Sequence, residues 1–125
     1  MIEVISTPGF PPGIGPYSQG MKANGFLFLS GQTPVNPKTG TLEGDSIESQ
    51  TRQVMENLKL ILKNQGLGFE DVIKTTCFLT DMAHFSAFNQ IYAEYFTGKP
   101  ARSCFAVKEL PRKSLCEVEL IAVLK

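Results

Sequence analysis

Two rhythms of apolar residues run through the chain. Ile47, Thr51, Val54, Met55, Leu58, Ile61 and Leu62 recur at three- and four-residue spacing, which predicts a helix. Asp45 with Glu48 makes a capping-box-like start, Ser46 is an equally good cap, and Gly66 reads as the stop. A second helical run, from about 84 to 97, carries Phe85, Phe88, Ile91, Tyr92, Tyr95 and Phe96 on one face and ends at Gly98 and Pro100. The other rhythm is that of strands. The β-branched run 72–79, the segments 103–107 and 116–124, and a short stretch at 2–5 all fit it. Asn24-Gly25 lies between two short runs and is a strong hairpin signal, pairing about 17–23 with 26–30. The order β-ββ-α-β-α-ββ predicts an α+β fold. It is a single domain over 1–125, a mixed sheet of about six strands with both helices on one face.

The last strand shows how the sheet should be covered. Cys116, Val118, Leu120, Ala122 and Leu124 alternate onto one face, suited to helix packing, while Glu117, Glu119, Ile121 and Val123 share the other. The two helices are used up on the first face. A second face that is partly apolar implies cover by another subunit.

Composition narrows the function. The 125 residues are 42% hydrophobic and 19% charged, in the range of a globular chain. Twelve basic side chains balance twelve acidic ones, so no net field draws nucleic acid or an anionic membrane. No apolar run approaches the ~18 residues of a membrane span, and the N-terminus lacks the pattern of a signal peptide. The expected compartment is the cytosol. Cys77, Cys104 and Cys116 show no paired spacing, and His84 is the only histidine, which argues against a disulfide framework and a zinc site. If His84 is not in the site, catalysis must rest on carboxylates, Arg, hydroxyls, thiols or backbone groups.

Two Gly- and Pro-rich stretches, 9–20 and 31–45, are long enough to be functional loops. Arg102 opens a strand after a helix stop, where its planar fork could clamp a carboxylate, although taken alone it reads sooner as a surface ion-pair partner. Glu117 and Glu119 share a strand face about 6.5–7 Å apart, and either could serve as a general base. A carboxylate buried on that face needs a partner, and Arg102 is the nearest candidate. Gly13 and Gly15 before Tyr17 and Ser18 permit close backbone approach, but the run lacks the ending of a phosphate loop. Ser30 and Gly31 could hold an anion or simply make a turn. Cys104 reads sooner as a small hydrophobe than as a reactive thiol. Lys99, Arg102, Lys108, Arg112 and Lys113 form a basic stretch, most plainly a solvated turn.

These residues resemble the RidA family, also called the YjgF or reactive intermediate deaminase family. The resemblance spans nearly the whole chain. It includes the run from Gly15 to Gly20, Ser30-Gly31-Gln32-Thr33-Pro34, and the run from Thr75 to Asp81. It continues through Phe88-Asn89 with Tyr92 and Phe96, Pro100-Ala101-Arg102-Ser103-Cys104, Leu110-Pro111, and Glu117-Val118-Glu119. The chain departs from it at Cys116, where the family usually has an aliphatic residue, and in a short segment between Phe96 and Pro100. The resemblance implies a fold like that of the trimeric chorismate mutases, a homotrimer with sites between subunits, and no metal or organic cofactor. It implies hydrolysis of 2-imino acids such as 2-iminopropanoate and 2-iminobutanoate to 2-oxo acids and ammonia. Arg102 would clamp the carboxylate, helped by Gly31 and Ser30, and Glu117 would activate water. The backbone of Cys104 would anchor that water, Tyr17 would close the pocket, and Asn89 would line it. Two other readings stand beside it: an RNA-cleaving translation inhibitor, disfavoured by the single histidine and zero net charge, and a non-enzymatic ligand-binding or chaperone-like trimer.

Overall fold

The computed structural model describes residues 1–13 and 15–125. In chain order it contains β1 (Glu3–Ile5), β2 (Gly20–Ala23), β3 (Phe26–Gln32), β4 (Val35–Asn36), β5 (Thr41–Leu42), α1 (Ile47–Asn64), β6 (Val72–Leu79), α2 (Phe85–Tyr95), β7 (Ala101–Ala106) and β8 (Cys116–Val123). Six of the strands form one sheet in the order β1-β2-β3-β8-β6-β7, and β4 pairs with β5 alone. Every pairing in the large sheet is antiparallel except β6 with β7, which α2 connects. This is the α+β architecture that the apolar rhythm predicts.

Local chemistry sets the element ends. Ser46 caps α1, its hydroxyl accepting the Ser49 amide at 3.1 Å, so the cap is Ser46 and not Asp45. Gly66 sits at φ 72, and Leu67 donates back to the Leu62 carbonyl, the closure expected where a glycine takes the left-handed position. Asn24 and Gly25 both have positive φ, 51 and 83, which matches the twist of a two-residue hairpin.

Some boundaries differ from expectation. Tyr17, Ser18 and Gln19 are not in β2, which starts at Gly20. The Ser18 carbonyl is taken by the Ser30 hydroxyl at 2.6 Å and the Gln19 carbonyl by the Ser30 amide at 2.9 Å, so the chain stays tied to Ser30 without a regular ladder. Residues 82–84 form a tight turn capped by Asp81, and α2 begins after it. The β4–β5 hairpin is too short, at two residues each, to show any alternation in sequence.

Helices α1 and α2 cover one face. Leu27, Leu29, Cys77, Leu79, Cys116, Val118, Leu120 and Ala122 project from the sheet into a core with Val54, Met55, Leu58, Ile61, Leu62, Phe88 and Ile91. On the opposite face Met21, Phe28, Phe105 and Val123 are exposed. Phe78 and Phe105 meet there edge to face at 5.4 Å.

Two polar side chains on the buried stripe of α1 fasten the loops. Asn57 is 2% exposed; its amide donates to the carbonyls of Thr33 (3.3 Å) and Val35 (2.8 Å), and its oxygen accepts from Gln53. Gln50 donates to the Gly44 carbonyl and accepts the Leu115 amide. Asn57→Ala removes the partner of two part-buried carbonyls and is expected to destabilise the fold by about 2 kcal/mol. Urea unfolding at matched protein concentration measures it; a loss under ~0.5 kcal/mol, within the range of ordinary surface substitutions, shows that the loop is held by other means.

Candidate functional site

A β-bulge shapes the centre of the site. Leu29 pairs with Leu120 and Gln32 with Val118, so β3 carries one more residue than β8 across the interval of Ser30 and Gly31. The extra residue swings Gly31 against the side chain of Glu117. A methyl group built on Gly31 would stand 2.7 Å from Glu117 Cδ and closer still to Oε2. Only a residue without Cβ leaves the carboxylate where it is.

That carboxylate lies in a cleft of about 550 Å³. Its walls come from Phe10, Pro11 and Pro12, from Ser30, Gly31 and Val35, and from Tyr17. Tyr17 is exposed and folds its ring over Gly13 and Gly15, where a Cβ would come within 2.9 and 3.1 Å of it. Glu117 is half-buried and Glu119 exposed. Burial pushes the Glu117 carboxyl above the usual carboxylate range, and the neighbouring charge of Glu119 pushes the same way. Neither carboxylate is in an ion pair among the described residues.

Arg102 lies elsewhere. Its register partner is Thr75, a fully buried residue that shares a hydrogen bond with the Tyr92 hydroxyl at 2.7 Å. Arg102 therefore faces the helices, while Glu117, paired with Phe78, faces the open side. The expected pairing of Arg102 with a buried carboxylate of the last strand is not made within one chain. The guanidinium instead donates to Asn89 Oδ1 at 2.7 Å, with its Cζ 4.8 Å from the Tyr92 ring centre and 5.5 Å from that of Phe85. It borders a separate hollow of about 300 Å³ with Asn89, Tyr92 and Lys99. No carboxylate pairs with it among the described residues. A half-buried cation held by an amide and two aromatic faces on an edge strand is a group that could receive an anion.

Two groups thus form. Tyr17, Ser30, Gly31 and Glu117 gather in the cleft; Asn89 and Arg102 gather at the edge of β7, with Cys104 two residues further on the same face. Burial raises the Cys104 thiol against the pull of Arg102, and burial pushes Cys77 and Cys116 up to about 12. None of the three is poised as a thiolate. Among the described residues no group of three or more His, Cys, Asp or Glu could hold a metal ion.

Sequence reasoning missed two contributors. Asn57 holds the Val35 wall, and its seven-residue spacing from Gln50 on the stripe of α1 was the available signal. Arg112, read as part of a solvated turn, lines the cleft. The bulge also left a trace, a glycine inside a strand pattern.

Comparison with known proteins gives the family. Residues 9–124 match the family model described as Endoribonuclease L-PSP. The chain belongs to that family, the RidA/YjgF family. It is 51% identical to a RutC family protein of Pyrococcus horikoshii over 123 residues, 98% of each chain. It is 46% identical to the chloroplastic Reactive Intermediate Deaminase A of Arabidopsis thaliana, covering 98% of this chain and 66% of that one. The crystal structure of E. coli TdcF with bound serine superposes with a TM-score of 0.91 at 38% identity, covering 98% of this chain and 99% of that one.

Two outcomes follow for the cleft. The folded chain holds the Glu117 proton more tightly than the unfolded chain does. Its contribution to stability is therefore complete below the unfolded carboxyl value, about 4.3, and is lost as pH rises through the folded one. Glu117→Gln is expected to be at least as stable as the parent at pH 7, the difference shrinking towards zero on acidification; thermal melts from pH 3.5 to 8 measure this, and a variant clearly less stable at pH 7 contradicts it. Gly31→Ala should fold normally by circular dichroism, because a flexible carboxylate is what it displaces.

Proposed function

We propose that the chain is a 2-imino acid deaminase acting on small substrates such as 2-iminopropanoate and 2-iminobutanoate, with each site completed by two copies of the chain in a homotrimer. The observation that carries this reading is the separation of Glu117 from Arg102. One chain offers a half-buried carboxylate without a cation and, on the other face of its sheet, a half-buried cation without an anion. A neighbouring copy set against the uncovered face can bring one to the other, and the exposed Phe28, Phe105 and Val123 supply apolar surface for that contact. The name of the Arabidopsis relative and the serine bound to TdcF support a small amino-acid-like ligand.

The chemistry suits these groups. Arg102 takes the substrate carboxylate in a two-point clamp, oriented by Asn89. Ser30 and the Gly31 amide add polar contacts, and Tyr17 covers the cleft. Glu117 accepts a proton from water as the water oxygen bonds to the imine carbon. That proton passes to the nitrogen, giving a carbinolamine; its hydroxyl proton then moves to the amino nitrogen as the C–N bond breaks, releasing ammonia and leaving the 2-oxo acid. A carboxyl raised by burial is a stronger base than an exposed one. The backbone of Cys104 serves as a water anchor without its thiol. Three free thiols fit a reducing compartment such as the cytosol.

Freshly generated 2-iminobutanoate, followed as 2-oxobutanoate above spontaneous hydrolysis, tests the activity. Arg102→Ala and Glu117→Gln should each lower turnover by about a hundredfold or more. Unfolded together and refolded as an equal mixture, the two inactive variants should recover up to about a quarter of the parent rate, since each half-site is intact with a chance of about one half. No recovery in a mixed trimer rules out the shared site. RNA cleavage without imine turnover would favour the endoribonuclease reading, and ligand binding without either would favour a binding protein.

A further inference from the structure

The cleft is larger than its smallest proposed substrates need. At about 550 Å³ it falls in the range of sites for far bigger ligands, about 300–1,000 Å³, whereas a three- or four-carbon imino acid has only a methyl or ethyl side chain to place. Glu117 accounts for one part of it. Of the residues lining the rest, one is a cation, Arg112.

Arg112 is presented in an unusual way. It and Lys113 are consecutive non-glycine residues with positive φ, 58 and 57, in the turn that follows Pro111. The left-handed conformation is disfavoured for any residue with a Cβ, and such strain persists where the surroundings over-determine it. Here one guanidinium N–H donates to the Gly40 carbonyl at 2.7 Å and ties the turn to the connection between β4 and β5. Among the described residues its other N–H groups have no protein partner, and it forms no ion pair with Glu117 or Glu119. Among the described residues the cleft thus carries the Glu117 carboxylate and, not paired with it, a tethered guanidinium with N–H groups to spare.

Resting on the deaminase reading, we infer that Arg112 is a specificity-determining residue that receives the side-chain carboxylate of a 2-iminodicarboxylate. With the α-carboxylate on Arg102 and the imine carbon at Glu117, a chain of one or two methylenes carries a second carboxylate along the cleft towards the free N–H groups of Arg112. The substrate class is thus the imines of acidic amino acids. The reactions that supply them are oxidations or eliminations of amino acids with two carboxyl groups.

The test compares 2-iminoglutarate with 2-iminobutanoate, each generated in place by an amino-acid oxidase, for the full-length parent, Arg112→Gln and Arg112→Lys. The reading is the ratio of kcat/KM for the diacid imine over that for the monoacid imine. Arg112→Gln is expected to lower this ratio about tenfold or more, as loss of a charge-assisted contact does, and Arg112→Lys to restore part of it. A ratio unchanged by Arg112→Gln overturns the inference, because loss of the Gly40 tether alone would affect both substrates alike. So does a parent that hydrolyses 2-iminobutanoate but not 2-iminoglutarate. If the parent accelerates neither imine, the deaminase reading fails. Calorimetry then decides the role of Arg112 separately: tighter binding of 2-oxoglutarate than of 2-oxobutanoate, lost in Arg112→Gln, supports it, and equal affinities overturn it.

Discussion

A six-stranded sheet has two faces to keep from water, and this chain has helices for one. The apolar side chains of α1 and α2 go to the face lined by Leu27, Leu29, Cys77, Val118 and Leu120. The other face is left with Phe28, Phe105 and Val123 in solvent and with Glu117 half-withdrawn from it. Burial without a compensating cation is unfavourable for a carboxylate, and the rise in its affinity for a proton expresses that cost. The same condition makes the group useful as a base. Stability and chemistry pull against each other at this residue, as they do wherever a reactive group is kept ready.

Small departures from regularity place the parts. One surplus residue in β3 brings a glycine, and no larger residue, against the Glu117 side chain. One parallel pairing in an otherwise antiparallel sheet sets Arg102 beside Thr75 and beneath α2, where Asn89 and two aromatic rings fix its direction before any ligand arrives. A guanidinium oriented in advance loses less freedom when it closes on a carboxylate.

Most of the architecture was legible in the sequence because it is periodic. The stripe from Ile47 to Leu62 and the alternation from Cys116 to Val123 each repeat often enough to fix element and face. The identities of Arg102, Glu117, Ser30 and Gly31 as candidates were legible too. What was not legible was their relation. Whether Arg102 and Glu117 share a face depends on how β6 registers against both β7 and β8, and a slip of one residue would reverse the answer. No local pattern encodes that parity. The bulge shows only as a glycine in a strand, and the strained pair Arg112 and Lys113 shows as nothing but a basic turn. Asn57 was hidden for the opposite reason: a polar residue on an apolar stripe looks like noise until its two carbonyl partners are seen.

Helix α1 has one more consequence, and it concerns motion. Through Asn57 it grips the segment at Thr33 and Val35, and through Gln50 it grips both Gly44 and Leu115, the residue from which the chain enters β8. The wall of the cleft and the approach to its carboxylate therefore hang from a single buried rod. The wall cannot open far without breaking its bonds to Asn57, nor the approach to β8 without losing its bond to Gln50, and both side chains stand on the same helix. Local loosening of α1 would therefore release both segments at once.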